Sequence, residues 1–313
     1  MSSPESLEGE LGRDAVVVGF DGSERSRQAA HWAAREAVSR GLRLVVVNAL
    51  RGPFPEVLVT SLSMPLPQLV DEAAVRAYTD EHLAELADEC VRIAPGLDVD
   101  TRAFDGHPAA VLGEVARNAA LLVVGSSGAT GLARLFAGSV TADLAHHATG
   151  TLVVVRETGA EGGHVVVGVD GSDPSYLAAD FAVDFAARHD RPVVAVHATT
   201  GLPVDAMAPG GAWGQGLGLG LDAEQLRTSA DALIVKSLDG PLARHPEVRA
   251  ERLVSFARPA QALVEAAEGA ALLVVGSHGH GAVRRALLGS VSHAMLHHAH
   301  CPLALVHGAR QPH

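Results

Sequence analysis

The chain has 313 residues, of which 48% are hydrophobic, 19% charged and 4% aromatic. That length predicts two domains, or one large one, and the composition excludes global disorder. With 24 Lys and Arg against 36 Asp and Glu, the net charge of −12 argues against sequence-independent binding to nucleic acid or to an anionic membrane. Cys90 and Cys301, the two cysteines, make neither a disulfide framework nor a zinc cluster by themselves. Met1 to Asp14 is polar and acidic, unlike a secretory signal. No apolar run approaches the ~18 residues of a membrane span. The expectation is a soluble, cytoplasmic protein.

In chain order, strands are predicted near 16–20, 44–49, 97–104, 121–125 and 151–155, with helices at 24–40, 66–93, 108–118 and 138–148. The second half repeats the scheme, with strands near 165–169, 193–198, 249–255, 272–276 and 303–307. Continuous Val/Leu runs without alternation suit parallel strands covered on both faces. Strand–helix alternation with right-handed crossovers predicts an α/β, doubly wound fold in each half.

The halves are copies of one unit. Val16-Val17-Val18-Gly19-Phe20-Asp21-Gly22-Ser23 returns as Val165-Val166-Val167-Gly168-Val169-Asp170-Gly171-Ser172. Leu121-Leu122-Val123-Val124-Gly125-Ser126-Ser127-Gly128 returns, at nearly the same offset, as Leu272-Leu273-Val274-Val275-Gly276-Ser277-His278-Gly279. The period is too long for a solenoid and marks a duplicated domain. The predicted domains are 1–157, ordered from about residue 14, and 163–308. The polar, Gly-rich stretch Glu157 to Gly163 reads as the linker. A variable segment follows the second strand of each half. The first holds Pro53, Pro55, Pro65 and Pro67, and the second is the Gly-rich 201–220 with Met207 and Trp213. These segments are surface loops or lids.

The strongest site signal is a glycine pattern found twice. Gly125 ends a strand, Gly128 follows after two residues, and nine more lead to Gly138-Ser139 at a helix start. The second copy is Gly276, Gly279, Gly289 and Ser290. A glycine-rich turn uncovers backbone N–H groups for phosphate oxygens, and the helix N-terminus adds positive potential. Asp21 and Asp170 stand at the carboxyl ends of the first strands, where open α/β sheets bind ligands. Each carboxylate is a candidate to bind a sugar hydroxyl, a base amine or a metal. Alternatively, it forms the Asp-Gly-Ser turn and caps the next helix.

Each half thus resembles a universal stress protein domain of the nucleotide-binding subclass, across nearly all of the chain except the N-terminal tail and variable loops. The resemblance implies a five-stranded parallel sheet in the order 3-2-1-4-5, flanked by helices, in two tandem domains. It implies ATP, with Mg, as cofactor. Asp21 and Ala49 would line the adenosine pocket, and Gly125, Gly128, Gly138, Ser139 and Val140 would hold ribose and phosphates. The second set is Asp170, Ala198, Gly276, Gly279, Gly289, Ser290 and Val291. Ala49 and Ala198 would act through backbone groups. The chain departs from the family pattern at Ala257, where the first half has Gly106, at Ala120 and Ala271, and at Gly150-Thr151, where the second half has Cys301-Pro302. None of these lies in the phosphate motif.

Arg134 lies in the first phosphate loop, and His278, His280, Arg284 and Arg285 in the second. Either the second site grips polyphosphate more strongly or these side chains are solvated. His293 and His297, with i,i+4 spacing, and His298, His300 and His146-His147 sit at helix C-termini, where they complement the dipole; no metal site is assigned. The expected function is a nucleotide-binding regulatory or stress-response protein with one adenine-nucleotide site per domain and little or no turnover. The alternatives are a slow ATP hydrolase or nucleotidyl-transfer enzyme, and a nucleotide-free interaction module. The apolar last strands, Thr151–Val155 and Leu303–His307, are expected at sheet edges that need covering. Single-domain relatives pair them across a two-fold axis, which implies an internal pseudo-dimer here. Further association of whole chains is left open.

Overall fold

The computed structural model describes residues 14–50, 72–126, 138–156, 159–160, 162–199, 223–279 and 288–308. The chain divides into two compact units, Met1–Arg156 and Glu157–His313.

In unit 1, β1 (Ala15–Gly19) leads through α1 (Glu24–Arg40) to β2 (Arg43–Leu50), and α2 (Glu72–Ile93) precedes β3 (Val99–Asp105). Then come α3 (Pro108–Val115), one 3₁₀ turn (Ala116–Asn118), β4 (Leu121–Gly125), α4 (Ser139–His147) and β5 (Thr151–Val155). Every pairing is parallel: β1 with β2 and β4, β2 with β3, and β4 with β5. The β1–β4 edge therefore falls where the chain reverses direction across the sheet, the ligand-binding point of such folds. α1 packs on α2 and α3 on α4, so the helices cover the sheet in two pairs.

Unit 2 repeats this with β6 (Val165–Gly168), α5 (Asp173–His189), β7 (Val193–Ala198), α6 (Ala223–Arg244), β8 (Ala250–Ser255), α7 (Pro259–Ala266), β9 (Leu272–Gly276), α8 (Ser290–His298) and β10 (Leu303–Val306). β6 pairs with β7 and β9, β7 with β8, and β10 with β9, all parallel. The register repeats too, with Val16 opposite Leu121 and Val165 opposite Leu272. Strand bounds fall within two residues of the sequence reading. Residues 66–71 of the helix expected at 66–93 lie outside the described residues, as do Pro53 to Pro67 and 201–220.

Val, Leu and Ala build the core. Val16, Val17, Val18, Leu44, Val123 and Leu152 are fully or almost fully buried, as are Val166, Leu272 and Leu305. α1 presents Ala29, Ala30, Ala33, Ala34 and Ala37 to the sheet, and these small side chains let the helix lie close. Ser23 caps α1 by accepting from the Ser26 amide, and Gly41 (φ 66°) ends it in the left-handed conformation. Pro108 and Pro259 open α3 and α7 in the first turn, where a missing N–H costs nothing. No helix among the described residues is long and apolar enough to cross a membrane.

The stretch read as a linker is packed on unit 2. The Ala160 amide donates to the Ala270 carbonyl (3.2 Å), and the Ala271 amide donates to the His164 carbonyl (2.8 Å). His164 Nε2 donates to the Ala266 carbonyl at 2.8 Å. A Cβ on Gly159 would stand 2.2 Å from the Ala271 oxygen, and one on Gly163 2.4 Å from the Gly269 oxygen. These glycines serve close approach rather than flexibility. Beside them lies a cavity of about 290 Å³ lined by Val264, Glu268, Ala299 and Cys301 among others, at the amino ends of β9 and β10.

Candidate functional site

The Asp-Gly-Ser turns form first. The Ser23 amide donates to Asp21 Oδ1 (3.0 Å), and the Ser172 amide to Asp170 Oδ1 (2.9 Å). Gly22 and Gly171 take φ values of 82° and 84°, which glycine adopts without strain. The turn role of the aspartates is therefore present, but the cap of α1 comes from the Ser23 oxygen, not from Asp21. A further repeated serine closes each turn from inside the helix. Ser26 Oγ donates to the Ser23 carbonyl (2.8 Å), and Ser175 Oγ to the Ser172 carbonyl (2.9 Å). Ser175 Oγ also accepts from the Gly171 amide at 3.1 Å. The signal in the sequence was Asp-Gly-Ser-x-x-Ser, present in both halves.

Ala49 and Ala198 stand near the ends of β2 and β7, half-buried, and the residues before them tie these ends to the aspartate turns. Asn48 Nδ2 donates to the Phe20 carbonyl (2.8 Å), and His197 Nδ1 donates to the Val169 carbonyl (2.8 Å). Each acceptor is the residue just before the aspartate. Asn48 Oδ1 is buried and has no hydrogen-bond partner among the described residues.

In unit 2 the structure brings Asp170, Gly279 and Gly289 together. Ser172 Oγ donates to Asp170 Oδ1 (2.6 Å) and lies 3.5 Å from the His278 carbonyl, so the aspartate turn touches the phosphate segment. A Cβ on Gly279 would stand 2.2 Å from Asp170 Oδ2, and one on Gly289 3.2 Å from His278 Cα. The Gly289 amide donates to the Ser277 carbonyl (2.8 Å), fixing the start of α8. Ser292 Oγ, one turn into α8, donates to the Gly276 carbonyl at 2.6 Å.

Unit 1 has the same fastenings. The Gly138 amide donates to the Ser126 carbonyl (2.9 Å), and Thr141 Oγ1 to the Gly125 carbonyl (3.0 Å). Gly128 and Arg134 lie outside the described residues, as do His280, Arg284 and Arg285. Gly125 and Gly276 do a job that the phosphate reading did not assign them. A Cβ on Gly125 would stand 2.9 Å from the Arg25 carbonyl carbon, and one on Gly276 2.9 Å from that of Pro174. Both glycines admit the first turn of a helix against the strand end.

The residues present fit a phosphate group. α4 and α8 open on Gly138 and Gly289 with no side-chain cap and no acidic residue in the first turn. The first amides of each helix thus lack intrahelical partners, and no acidic side chain of the first turn compensates the helix field. Ser139 and Ser290 are exposed at this end, with Val140 and Val291 half-buried behind them. Among the described residues, no group of three or more His, Cys, Asp or Glu side chains is arranged to hold a metal. The His293 and His297 rings meet edge-on at 4.8 Å between centroids. Cys90 and Cys301 are buried and neither is in a disulfide.

The universal stress protein family model matches residues 12–156 and again 163–307. The chain belongs to the universal stress protein family. It is 34% identical over 310 residues to universal stress protein Rv2005c of Mycobacterium tuberculosis, covering 97% of this chain and 98% of that protein. Universal stress protein Rv1996 of the same organism is 32% identical over 311 residues, covering 95% of this chain and 96% of that protein. A crystal structure of a universal stress protein from Archaeoglobus fulgidus superposes with a TM-score of 0.66 at 17% identity, covering 96% and 98% of the two chains. That likeness concerns the fold. The relatives have matching length, so the two universal stress protein domains are a shared tandem arrangement.

Proposed function

We propose that each universal stress protein domain binds one adenine nucleotide, ATP with Mg²⁺, at the carboxyl edge of its sheet, and that the protein works as a nucleotide-dependent regulator in stress response. The observation that carries the reading is in unit 2. There Asp170, Gly279 and the uncapped start of α8 lie close together, so that a Cβ at 279 would stand 2.2 Å from Asp170 Oδ2 and one at 289 3.2 Å from His278 Cα. Asp170 and the Ala198 backbone would take the adenosine end. Gly276, Gly279, Gly289, Ser290 and Val291 would take ribose and phosphates through amides, one hydroxyl and the helix field. Asp21, Ala49, Gly125, Gly128, Gly138, Ser139 and Val140 would do the same in unit 1. When bound, Mg²⁺ neutralises part of the phosphate charge.

These groups bind phosphates; phosphoryl transfer also needs an attacking water held in line and the developing charge matched. The reading therefore carries little or no turnover. Mass analysis of nucleotide released from purified, denatured protein tests it, together with calorimetry of Mg-ATP binding. Two adenine-nucleotide sites per chain, weakened by EDTA, are expected. No bound or titratable nucleotide would leave an interaction module. Turnover above ~1 s⁻¹, the ordinary enzyme range, that falls on mutation of Ser139 or Ser290 would make it a hydrolase.

A further inference from the structure

The two units differ at one position beside the phosphate segment. Arg25 occupies it in unit 1 and Pro174 in unit 2, each with its backbone against the glycine that ends the fourth strand of its unit. Arg25 lies in the first turn of α1, where a cation opposes the helix dipole. Its Nη1 donates to Ser126 Oγ (3.2 Å) and to the Arg156 carbonyl (3.1 Å). Both acceptors are uncharged, and among the described residues no carboxylate is paired with it. The Ser126 carbonyl in turn accepts from the Gly138 amide (2.9 Å), so the guanidinium stands beside the two ends of the phosphate segment. α4 opens there with no side-chain cap and no acidic residue in its first turn. A half-buried cation and an uncompensated helix N-terminus are thus placed together, although the chain carries a net charge of −12. The pairing is unfavourable until an anion enters. A guanidinium has five N–H donors in a planar fork, and both bonds described here come from Nη1, which leaves Nη2 and Nε to meet phosphate oxygens.

We propose that Arg25 recognises the terminal phosphates of the unit 1 nucleotide, so that unit 1 separates ATP from AMP by a contact from a position that Pro174 occupies in unit 2. The inference rests on the nucleotide reading above. The test is calorimetry of the full chain with Mg-ATP and with AMP, in a Gly279→Asp background that removes the unit 2 site. Arg25→Gln is expected to weaken Mg-ATP about tenfold, the scale of one charge-assisted contact, and AMP less than about twofold. An ATP-to-AMP ratio unchanged by Arg25→Gln overturns the proposal, whether both affinities fall together or neither does. Should Arg25→Gln fail to fold, Pro174→Arg decides in a Gly128→Asp background. A raised ATP preference in unit 2 supports the proposal, and an unchanged one overturns it. Failure of the unaltered chain to bind either nucleotide sinks the nucleotide reading itself, and this inference with it.

Discussion

Gly279 lies directly against the carboxylate of Asp170, so closely that a Cβ would stand 2.2 Å from Oδ2. Even alanine at 279 must displace the aspartate or the loop. The obstacle is the carboxylate end of the Asp170 side chain, which can swing away, so the fold should survive. Gly279→Ala is expected to weaken unit 2 nucleotide binding by at least about tenfold, the effect of losing one charge-assisted contact, while circular dichroism stays unchanged. Gly279→Asp, which adds a like charge, should abolish the site. Calorimetry showing two undiminished sites in either variant would defeat this assignment.

The carbonyl before each aspartate is held at 2.8 Å by the side chain of the residue before Ala49 or Ala198, Asn48 in unit 1 and His197 in unit 2. Both side chains offer an N–H at the same place, which predicts interchangeability. His197→Asn should keep unit 2 affinity within about threefold. His197→Ala, which leaves a carbonyl without its donor, should cost about 1 kcal/mol of stability and loosen the aspartate turn, weakening nucleotide several-fold. Rescue by Asn but not by Ala is the outcome that identifies positioning. Equal loss in both variants would assign the imidazole some other role.

The strands were legible because parallel strands buried on both faces must be apolar throughout, as Val16-Val17-Val18 and Leu272-Leu273-Val274-Val275 are. The two glycine segments stood out because their glycines recur at one spacing. Other parts of the site were hidden because residue type alone does not separate the roles. Gly125 and Gly276 have the composition of a phosphate turn, yet their lack of a side chain also admits Arg25 and Pro174. Asn48 and His197 differ in type, so the repeat masked a shared hydrogen bond. Nothing in the sequence sets Arg25 apart from other surface cations on a helix; only the fold places Ser126 and Arg156 beside it. Where the two family matches meet, Gly159 and Gly163 serve close approach, a role that residue type does not separate from flexibility.

Gly159 and Gly163 permit the linker to lie against Ala271 and Gly269, with a Cβ at either position inside contact distance of backbone oxygen. Backbone cannot yield as a side chain can. Gly159→Ala and Gly163→Ala are each expected to destabilise unit 2 by about 1–3 kcal/mol, the range for overpacking. A fragment of residues 157–308 should melt at a higher temperature than one of 165–308, which lacks the His164 bond to Ala266. Identical melting temperatures would return the stretch to the role of a free tether.

Arg27 and His31 on α1 meet Glu89 on α2, at 2.5 Å and 3.0 Å. Burial pushes the Glu89 carboxyl up, but the hydrogen bonds and charges of Arg27 and His31 outweigh it and hold the pKa below the usual range. A lowered folded-state pKa contributes stability above the unfolded value, lost as pH falls through the folded one. The effect is small, because all three side chains are about a quarter exposed. Glu89→Gln should cost about 0.5–1 kcal/mol near neutrality and less in acid. Denaturant titrations at pH 7 and pH 3 check this: a variant-to-parent gap that fails to narrow in acid would refute it.

Cys90 titrates in the opposite sense. Its thiol is fully buried on α2, with Sγ 3.8 Å from the Ala30 carbonyl, and burial, followed by the charge of Glu89, pushes its pKa up to about 11. The unfolded chain ionises this thiol near pH 9.0, so between that pH and about 11 the unfolded state binds fewer protons. Stability from Cys90 is therefore complete below that window and declines as pH rises through it. The thiolate is the reactive form, so Cys90 should resist alkylation at pH 8 until the chain unfolds. Cys90→Ala removes a buried sulfur and should cost about 1–2 kcal/mol at pH 8, as smaller core truncations do. At pH 10.5 the parent loses its thiol contribution while the variant has none to lose, so the gap should shrink. Urea titrations of both chains at the two pH values measure it directly, and parallel alkaline profiles would show that this thiol is not what the alkaline limb reports.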